Sequence, residues 1–288
     1  MKNKALVLGS SGLIGHHLCR CFAKNNNFKL FNIANSLKFN DETILVNALN
    51  INKLKEKIEE IQPDYIFNCI GILNDKSEND PTNTIFLNAY LPNLLGEIAK
   101  TIGAKLIHFS TDCVFSGNKK APYREDDYID ANDLYGLSKG LGENILRDHL
   151  VIRTSFIGPS LREDSKELFS WFMSQKGSIN GYTKSIWSGV TALEAARAAE
   201  RLASLDISGI YHLTNNQPIS KYDLLCMFKK YSNKNIEIIK VDGKESDKSY
   251  IDTRLLLEYE IPSYDAMISS MVKDTLNNKQ FYSHYSFD

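Results

Sequence analysis

The sequence predicts an α/β fold: a doubly wound parallel sheet followed by a smaller α/β region. Three observations carry this expectation. Short, continuously apolar runs alternate with helix-length segments through the first half of the chain; the first run ends in glycines that lead directly into a helix; and the alternation stops near residue 155. Strands that are apolar throughout must be covered on both faces, and helices joining parallel strands supply that cover.

The elements follow in order. The run "KALVLG" is the first strand and 13–24 the first helix; "KLFNIA" leads to a helix over 51–60, and "DYIFNCIG" to one over 84–101. "KLIHFS" is followed by a helix over 133–148, and "LVIRTS" closes the regular series. The runs are too short for periodicity to separate strand from buried helix, so flanking glycines and β-branched residues decide the assignment. Beyond this point come helices over 164–175 and 191–204, a strand "GIYHLT", and a helix near 220–231. The tail after Met271, rich in Tyr, Phe, Asn and Ser, reads as partly loose. No repeat or low-complexity linker separates the halves. The expected division is 1–155 as a dinucleotide-binding domain and 156–288 as mainly substrate-binding, with about 186–215 returning to the first domain.

Lys plus Arg number 34 and Asp plus Glu 35, so no net field favours nucleic acid or an anionic membrane. No stretch approaches the roughly 18 consecutive apolar residues of a membrane span, and no export signal is visible. Five cysteines, an odd number without redox or zinc spacing, fit reduced thiols in a cytoplasm. Partners must therefore be read from local sites.

In "LVLGSSGLIGHHL", Gly9, Gly12 and Gly15 stand between strand and helix, with Ser11, Leu13 and Ile14 among them. Glycines there permit a tight turn, let backbone amides approach a pyrophosphate and let the helix lie close to the sheet. The spacing is G-x-x-G-x-x-G rather than G-x-G-x-x-G. Its strand–turn–helix setting makes it a Rossmann-like nucleotide site. The second strand ends "NIANSLK": Asn35, Ser36 and Lys38 stand where an acid would select a free ribose 2′-hydroxyl. This favours NADPH over NADH; a merely solvated Lys38 is the alternative.

"STDCVFSG" places Ser110, Thr111 and Asp112 at the end of a buried strand. Such side chains close turns against nearby backbone; they also suit an active site. "DLYGLSKGLGE" sets Tyr135 and Lys139 four residues apart, on one face of a helix. A phenol titrating near 10 shuttles protons poorly at neutral pH, and a neighbouring ammonium would help to lower it.

Together these segments resemble the extended short-chain dehydrogenase/reductases, and within them the dTDP-4-dehydrorhamnose reductase group. "GSSGLIG", "PDYIFNCIG", "LNAYLPNLLGEIAKTIGAKLIHFSTDCVFSG", "YGLSKGLGE", "LVIRTS" and "GIYHLT" carry the likeness over nearly the whole length. The resemblance implies a catalytic set of Thr111, Tyr135 and Lys139: Lys139 holds the nicotinamide ribose and lowers the Tyr135 pKa, and Thr111 binds the substrate oxygen. It implies adenine contacts at Asn47 and Ala48, a backbone lining at Cys69, Ile70 and Gly71, and cofactor contacts at Ser110 and Asn88. Asn88 reads equally well as a buried amide satisfying backbone, and His108 as packed beside the sheet rather than catalytic.

The resemblance further implies an NADPH-dependent reduction of a nucleotide-linked 4-keto-6-deoxy sugar, serving surface polysaccharide precursors. Thr111, Asp112, Phe156, Trp187 and Arg254 are the implied substrate contacts, with Lys184 a weaker phosphate candidate. Dehydration requires an Asp-Glu pair after the catalytic Thr; this chain has Asp112-Cys113, and a thiol replaces the carboxylate poorly. Some relatives hold magnesium at a dimer interface. Glu194 matches one such acid but His17 stands at another, so no metal is expected, while a homodimer remains open. An epimerase and a non-catalytic regulatory subunit of methionine adenosyltransferase are the alternatives.

Overall fold

The computed structural model describes residues 2–25, 27–143, 148–243 and 245–287. Its first layer is built from β1 (Asn3–Leu8), α1 (Leu13–Asn25), β2 (Phe28–Ala34), a short β3 (Ile44–Leu45), α2 (Ile51–Ile61) and β4 (Tyr65–Asn68). There follow α3 (Asn74–Asn79), α4 (Pro81–Ile85), a π-helical turn (Phe86–Tyr90), α5 (Leu91–Ile102), β5 (Lys105–Ser110), α6 (Leu134–Glu143) and β6 (Leu150–Arg153). The second half contains β7 (Phe156–Ile157), α7 (Leu168–Ser174), β8 (Gly177–Tyr182), β9 (Ser185–Trp187), β10 (Val190–Thr191), α8 (Ala192–Ser204) and β11 (Gly209–His212). It ends with β12 (Ile219–Ser220), α9 (Lys221–Ser232), β13 (Ile236–Val241), β14 (Ser246–Asp247), α10 (Tyr264–Asn277) and α11 (Lys279–Tyr282).

Seven strands form one sheet in the order β11-β6-β5-β4-β1-β2-β3, all parallel. Alternate residues of each apolar run divide between two cores. Ala5, Val7, Phe67, Ile107 and Ile152 face the side covered by α1 and α8, while Leu6, Leu8, Ile66, Leu106 and Val151 face α2 and α5. Covering both faces is what makes the runs continuously apolar. The alanine-rich α8 lets α1 approach closely, with Ala195 and Ala199 buried beside Leu18 and Phe22.

The residues after 155 do not form one separate block. β11 joins the main sheet beside β6, and α8 lies on its face. Pairs and triples of short strands make up the rest: β7 with β10, β8 with β13, and β9 between β12 and β14. The expected helix over 164–175 is confined to Leu168–Ser174. Of the expected helix over 133–148, residues 144–147 lie outside the described residues.

The helix expected over 84–101 begins at Pro81 and changes pitch within itself. Pro92 has no N–H to donate to Asn88, four residues back. The Leu91 N–H bonds to Phe86 O, five residues back, and the turn opens into a π-helix.

The tail corrects the expectation of looseness after Met271. α10 continues to Asn277, and Tyr282 is buried against α1. His16 Nδ1 donates to Gly12 O at 2.8 Å, leaving Nε2 to accept from the Tyr282 hydroxyl at 2.9 Å. Arg20 donates to that hydroxyl at 2.8 Å and grips Asp274 through two bonds of 2.8 and 3.0 Å. Tyr285 accepts from Ser160 N at 2.9 Å. Aromatic residues in the tail fill space that polar composition alone would leave to solvent. Replacing Tyr282 by Ala should therefore lower stability by about 3 kcal/mol, as for a large buried ring. Urea unfolding measures this, and an unchanged midpoint would return the tail to a loose state.

Candidate active site

The carboxyl ends of the parallel strands converge on one edge of the sheet, where open α/β folds bind ligands. Gly9 follows β1 with φ +83°, and its N–H donates to Ile33 O at 2.8 Å. A Cβ on Gly15 would collide with the Gly9 carbonyl, so α1 must start hard against this turn. Ser11, Gly12 and Leu13 form the turn, Ile14 is buried beneath it, and no acid stands in the first turn of α1. The helix terminus is thus suited to an anion.

Asn35, Ser36 and Lys38 are exposed on the following loop. That loop is braced because Phe39 N and Asn40 N each donate to Thr43 Oγ1 at 3.0 Å, and Phe39 stacks on Phe281 at 5.6 Å and 8°. Asn47 is exposed and accepts from Leu49 N, while Ala48 is buried. Ser110 supplies the remaining sign of a ligand: among the described residues its buried Oγ has no hydrogen-bond partner, at the very end of β5. A buried hydroxyl left unpaired in the protein alone is the kind of group a bound molecule satisfies. Glycine cradle, open helix terminus, exposed Lys38 and orphaned Ser110 together fit a dinucleotide.

Thr111 does close a turn, accepting from Cys113 N at 3.1 Å, but it also donates to Asp112 Oδ1 at 3.1 Å and lies beside the Tyr135 side chain. The structure thus brings Thr111 and Tyr135 together from different elements. Burial pushes the Tyr135 phenol up, and Thr111 only partly opposes this. The Lys139 amine is bonded elsewhere.

Lys139 Nζ instead donates to Phe109 O at 2.7 Å and lies 3.2 Å from His108 Nε2. Burial pushes its amine down to about 8. The hydrogen bonds point the same way. Asn68 Oδ1 accepts from Ile70 N at 3.1 Å, so Asn68 Nδ2, 3.1 Å from His108 Nδ1, must donate to that nitrogen. In that arrangement His108 carries its proton on Nε2 and faces Lys139 as the neutral amine. Protonating Lys139 requires the other imidazole tautomer, whose Nδ1–H would face the Asn68 amino group, donor against donor. His108 is thus a direct neighbour of Lys139 and not merely sheet packing.

Two glycines set the depth of this pair. A Cβ on Gly136 would strike Cys113 O, and one on Gly142 would strike Asn88 O, the carbonyl that Pro92 leaves without its helical donor. Asn88 itself has its amide engaged: Oδ1 accepts from Ile72 N at 2.9 Å, and Nδ2 donates to Ile72 O at 2.9 Å and Ser138 Oγ at 3.1 Å. It braces the loop of Cys69, Ile70 and Gly71 from behind, the backbone-satisfying role. At the far end of α6, buried Glu143 grips Arg153 through bonds of 2.6 and 3.1 Å, and Arg153 donates to His212 Nε2 at 2.9 Å. Sequence reading missed this cluster, since its members lie in three separate elements.

Of the implied substrate contacts, Asp112 is buried beside Thr111, and Phe156 packs edge-on to Phe109 at 5.8 Å. Trp187, only 3% exposed, forms wall rather than surface, 5.6 Å from Tyr264. Arg254 NH1 donates to the carbonyls of Ser208 and Ile210 at 2.8 and 2.7 Å, towards the amino end of β11. Lys184 pairs with Asp242 at 3.0 Å on the surface. The cation near Asp112 is Lys221, whose Nζ sits 5.5 Å from the Trp187 ring centre. A cation–π contact contributes about 0.5–2 kcal/mol, less than the several kcal/mol that removing an ammonium from water costs.

Over residues 3–247 the chain matches the family described as the RmlD substrate binding domain. The chain belongs to that family, within the extended short-chain dehydrogenase/reductases. Among curated relatives it is 27% identical to the spore coat polysaccharide biosynthesis protein SpsK of Bacillus subtilis, covering 84% of each chain. It is 29% identical to the dTDP-4-dehydrorhamnose reductase of Escherichia coli, over 76% of this chain and 74% of that one. It is also 29% identical to methionine adenosyltransferase 2 subunit beta of Bos taurus, over 77% and 70%. Among solved structures, the dTDP-4-dehydrorhamnose reductase of Bacillus anthracis in complex with NADP superposes with a TM-score of 0.83 at 20% identity, covering 96% of this chain and all of that one (100%).

Within this family member, the Asn68–His108–Lys139 chain yields a directional test. Asn68→Asp puts an anion and an acceptor opposite His108 Nδ1, which favours the tautomer able to accept from a lysine ammonium. The Lys139 pKa should rise above about 8, as followed by NMR of carbon-labelled lysine against pH. An unmoved titration would separate His108 from the control of Lys139.

Proposed function

We propose that this chain, placed by family membership among NAD(P)-dependent oxidoreductases of nucleotide sugars, catalyses NADPH-dependent reduction of a nucleotide-linked 4-keto-6-deoxy sugar. The observation carrying this reading is the buried meeting of Thr111 and Tyr135 at the sheet edge, with Lys139 beneath. The reduction would feed surface polysaccharide precursors, as the likeness to SpsK and the rhamnose reductases supports.

The Gly9–Gly15 turn and the α1 terminus would hold the dinucleotide's diphosphate, Lys38 its adenosine phosphate, and Ser110 and Lys139 its nicotinamide half. When bound, the cofactor supplies the hydride to sugar C4. The protein's own task is then to deliver a proton to the C4 oxygen. Thr111 hydrogen-bonds that oxygen and Tyr135 donates the proton. The upward shift of Tyr135 suits this direction, since the phenol stays protonated throughout the neutral range. Lys139, in its charged form, stabilises the phenolate left behind. Asp112-Cys113 lacks the second acid of a dehydratase, and burial pushes the Cys113 thiol up to about 12, so it adds no base.

The similarity to methionine adenosyltransferase subunit beta favours one second reading, a nucleotide-binding regulatory subunit. NADPH oxidised in step with a 4-keto sugar nucleotide, with label from 4-deuterated NADPH appearing at sugar C4, supports the reductase. Solvent deuterium at C3 or C5 without net oxidation would establish epimerisation. No turnover, together with tight binding of a protein partner, would favour the regulatory subunit.

Tyr135→Phe keeps the packing but removes the proton, so turnover should fall by on the order of a hundredfold or more while cofactor affinity is kept. Near wild-type turnover under chemistry-limited conditions would remove Tyr135 from the mechanism. For the lysine the sign follows from its downward shift: the charged form is lost as pH rises through about 8. Accordingly kcat/KM for reduction should decline above that pH, about tenfold per unit, and a flat profile to pH 10 would count against a required ammonium. NADPH should bind more tightly than NADH because Lys38 stands where an acid would repel the 2′-phosphate; equal dissociation constants would sink that preference alone.

A further inference from the structure

Lys221 is the first residue of α9 and the mechanism above gives it no task. Its position is set by two independent constraints. Antiparallel pairing places Ile219 opposite Trp187 and Ser220 opposite Ile186, so the chain enters α9 directly over the Trp187 ring. Ser220 then caps the helix, accepting from Asp223 N at 3.0 Å and donating to Asp223 Oδ2 at 2.5 Å. Backbone and cap both hold the lysine stem between Trp187 and the Asp112-Cys113 turn. Among the described residues, Lys221 Nζ makes no hydrogen bond or ion pair. Asp112 attracts it through space, one oxygen of its carboxylate accepting from Thr111. Desolvation lowers the amine.

A desolvated ammonium with no bonded acceptor is compensated only in part by the field of Asp112, and an arriving anion would complete the compensation. The other cations considered for such an anion, Arg254 and Lys184, have their heads engaged elsewhere. We propose that Lys221 is a substrate-binding residue that takes an oxygen of the nucleotide sugar's diphosphate, orienting the sugar towards Thr111 and Tyr135. This assignment rests on the nucleotide-sugar reading of the cleft, but not on which reaction occurs there.

The test measures binding of dTDP, UDP and GDP to the full chain by calorimetry, beside NADPH affinity and thermal midpoint, in wild type, Lys221→Met and Lys221→Arg. A charge-assisted hydrogen bond predicts a loss of about tenfold or more in diphosphate affinity for Lys221→Met, with recovery to within about threefold in Lys221→Arg. NADPH affinity should not change. The thermal midpoint of Lys221→Met should equal or exceed that of wild type, because the substitution removes a desolvated charge; a structural lysine would show the opposite sign.

Unchanged diphosphate affinity in Lys221→Met, or a loss matched by falling stability and NADPH affinity, overturns the proposal. So does wild-type protein that binds none of the three nucleotides. If Lys221→Met does not fold, Lys221→Arg still decides: near wild-type diphosphate binding with a steep salt dependence supports the contact, and salt-independent binding overturns it. Diphosphate binding that depends on Lys221 in a protein that reduces no keto sugar would remove the reductase reading and leave this assignment standing.

Discussion

Helix α6 lies where it does because two of its residues have no side chain. Gly136 passes against Cys113 O and Gly142 against Asn88 O, and no other residue could take either place without moving the helix. Tyr135 and Lys139 are carried on the same helix, one turn apart, so the depth of these contacts sets theirs. Reacting groups displaced by about 1 Å can lose a hundredfold in rate. The π-turn belongs to the same constraint, for Pro92 frees the carbonyl that Gly142 approaches. A helix interruption and a missing methyl, far apart in sequence, together seat Tyr135.

Burial at that depth has an electrostatic consequence, and the protein answers it unevenly. Arg153 and Glu143 meet through two bonds and are capped by a neutral His212, whose proton affinity burial lowers to about 4. Such a pair contributes position more than stability, because desolvation offsets most of its attraction. Lys139 has only neutral bonded partners, Phe109 O and His108. The fully paired charge ties α6 to the sheet; the incompletely compensated one stands at the chemistry. Perturbed groups concentrate at functional sites for this reason.

The parallel sheet was legible because its strands are apolar on both faces, and "KALVLG", "DYIFNCIG" and "KLIHFS" are each followed by a helix-length segment before the next strand. The joining of Thr111, Tyr135 and the glycine turn was legible as a pattern of motifs. Local pattern failed where partners are remote. His108 reads as an apolar-strand residue until Asn68 and Lys139 are seen on either side of it. Lys221 reads as a solvated first-turn lysine until β12 pairs with β9. The Arg254 bonds to Ser208 and Ile210 were hidden for the same reason, since a cation's partner is set by tertiary placement and not by its neighbours in the chain. The aromatic tail was misread because composition does not show that Tyr282 and Tyr285 find buried partners.

The bond between His16 and Tyr282 joins residues 266 positions apart. At synthesis rates of about 5–20 residues per second, roughly 13–53 s separates the making of its two halves. Through that interval the face of α1 behind the phosphate turn lacks its cover, with two imidazoles and the Arg20 guanidinium open to water. The glycine turn is thus made well before the tail that completes its backing. For a newly made chain, the arrival of the tail marks when the glycine turn becomes a finished receptor, and a chaperone that shields α1 until then would protect the site rather than the sheet.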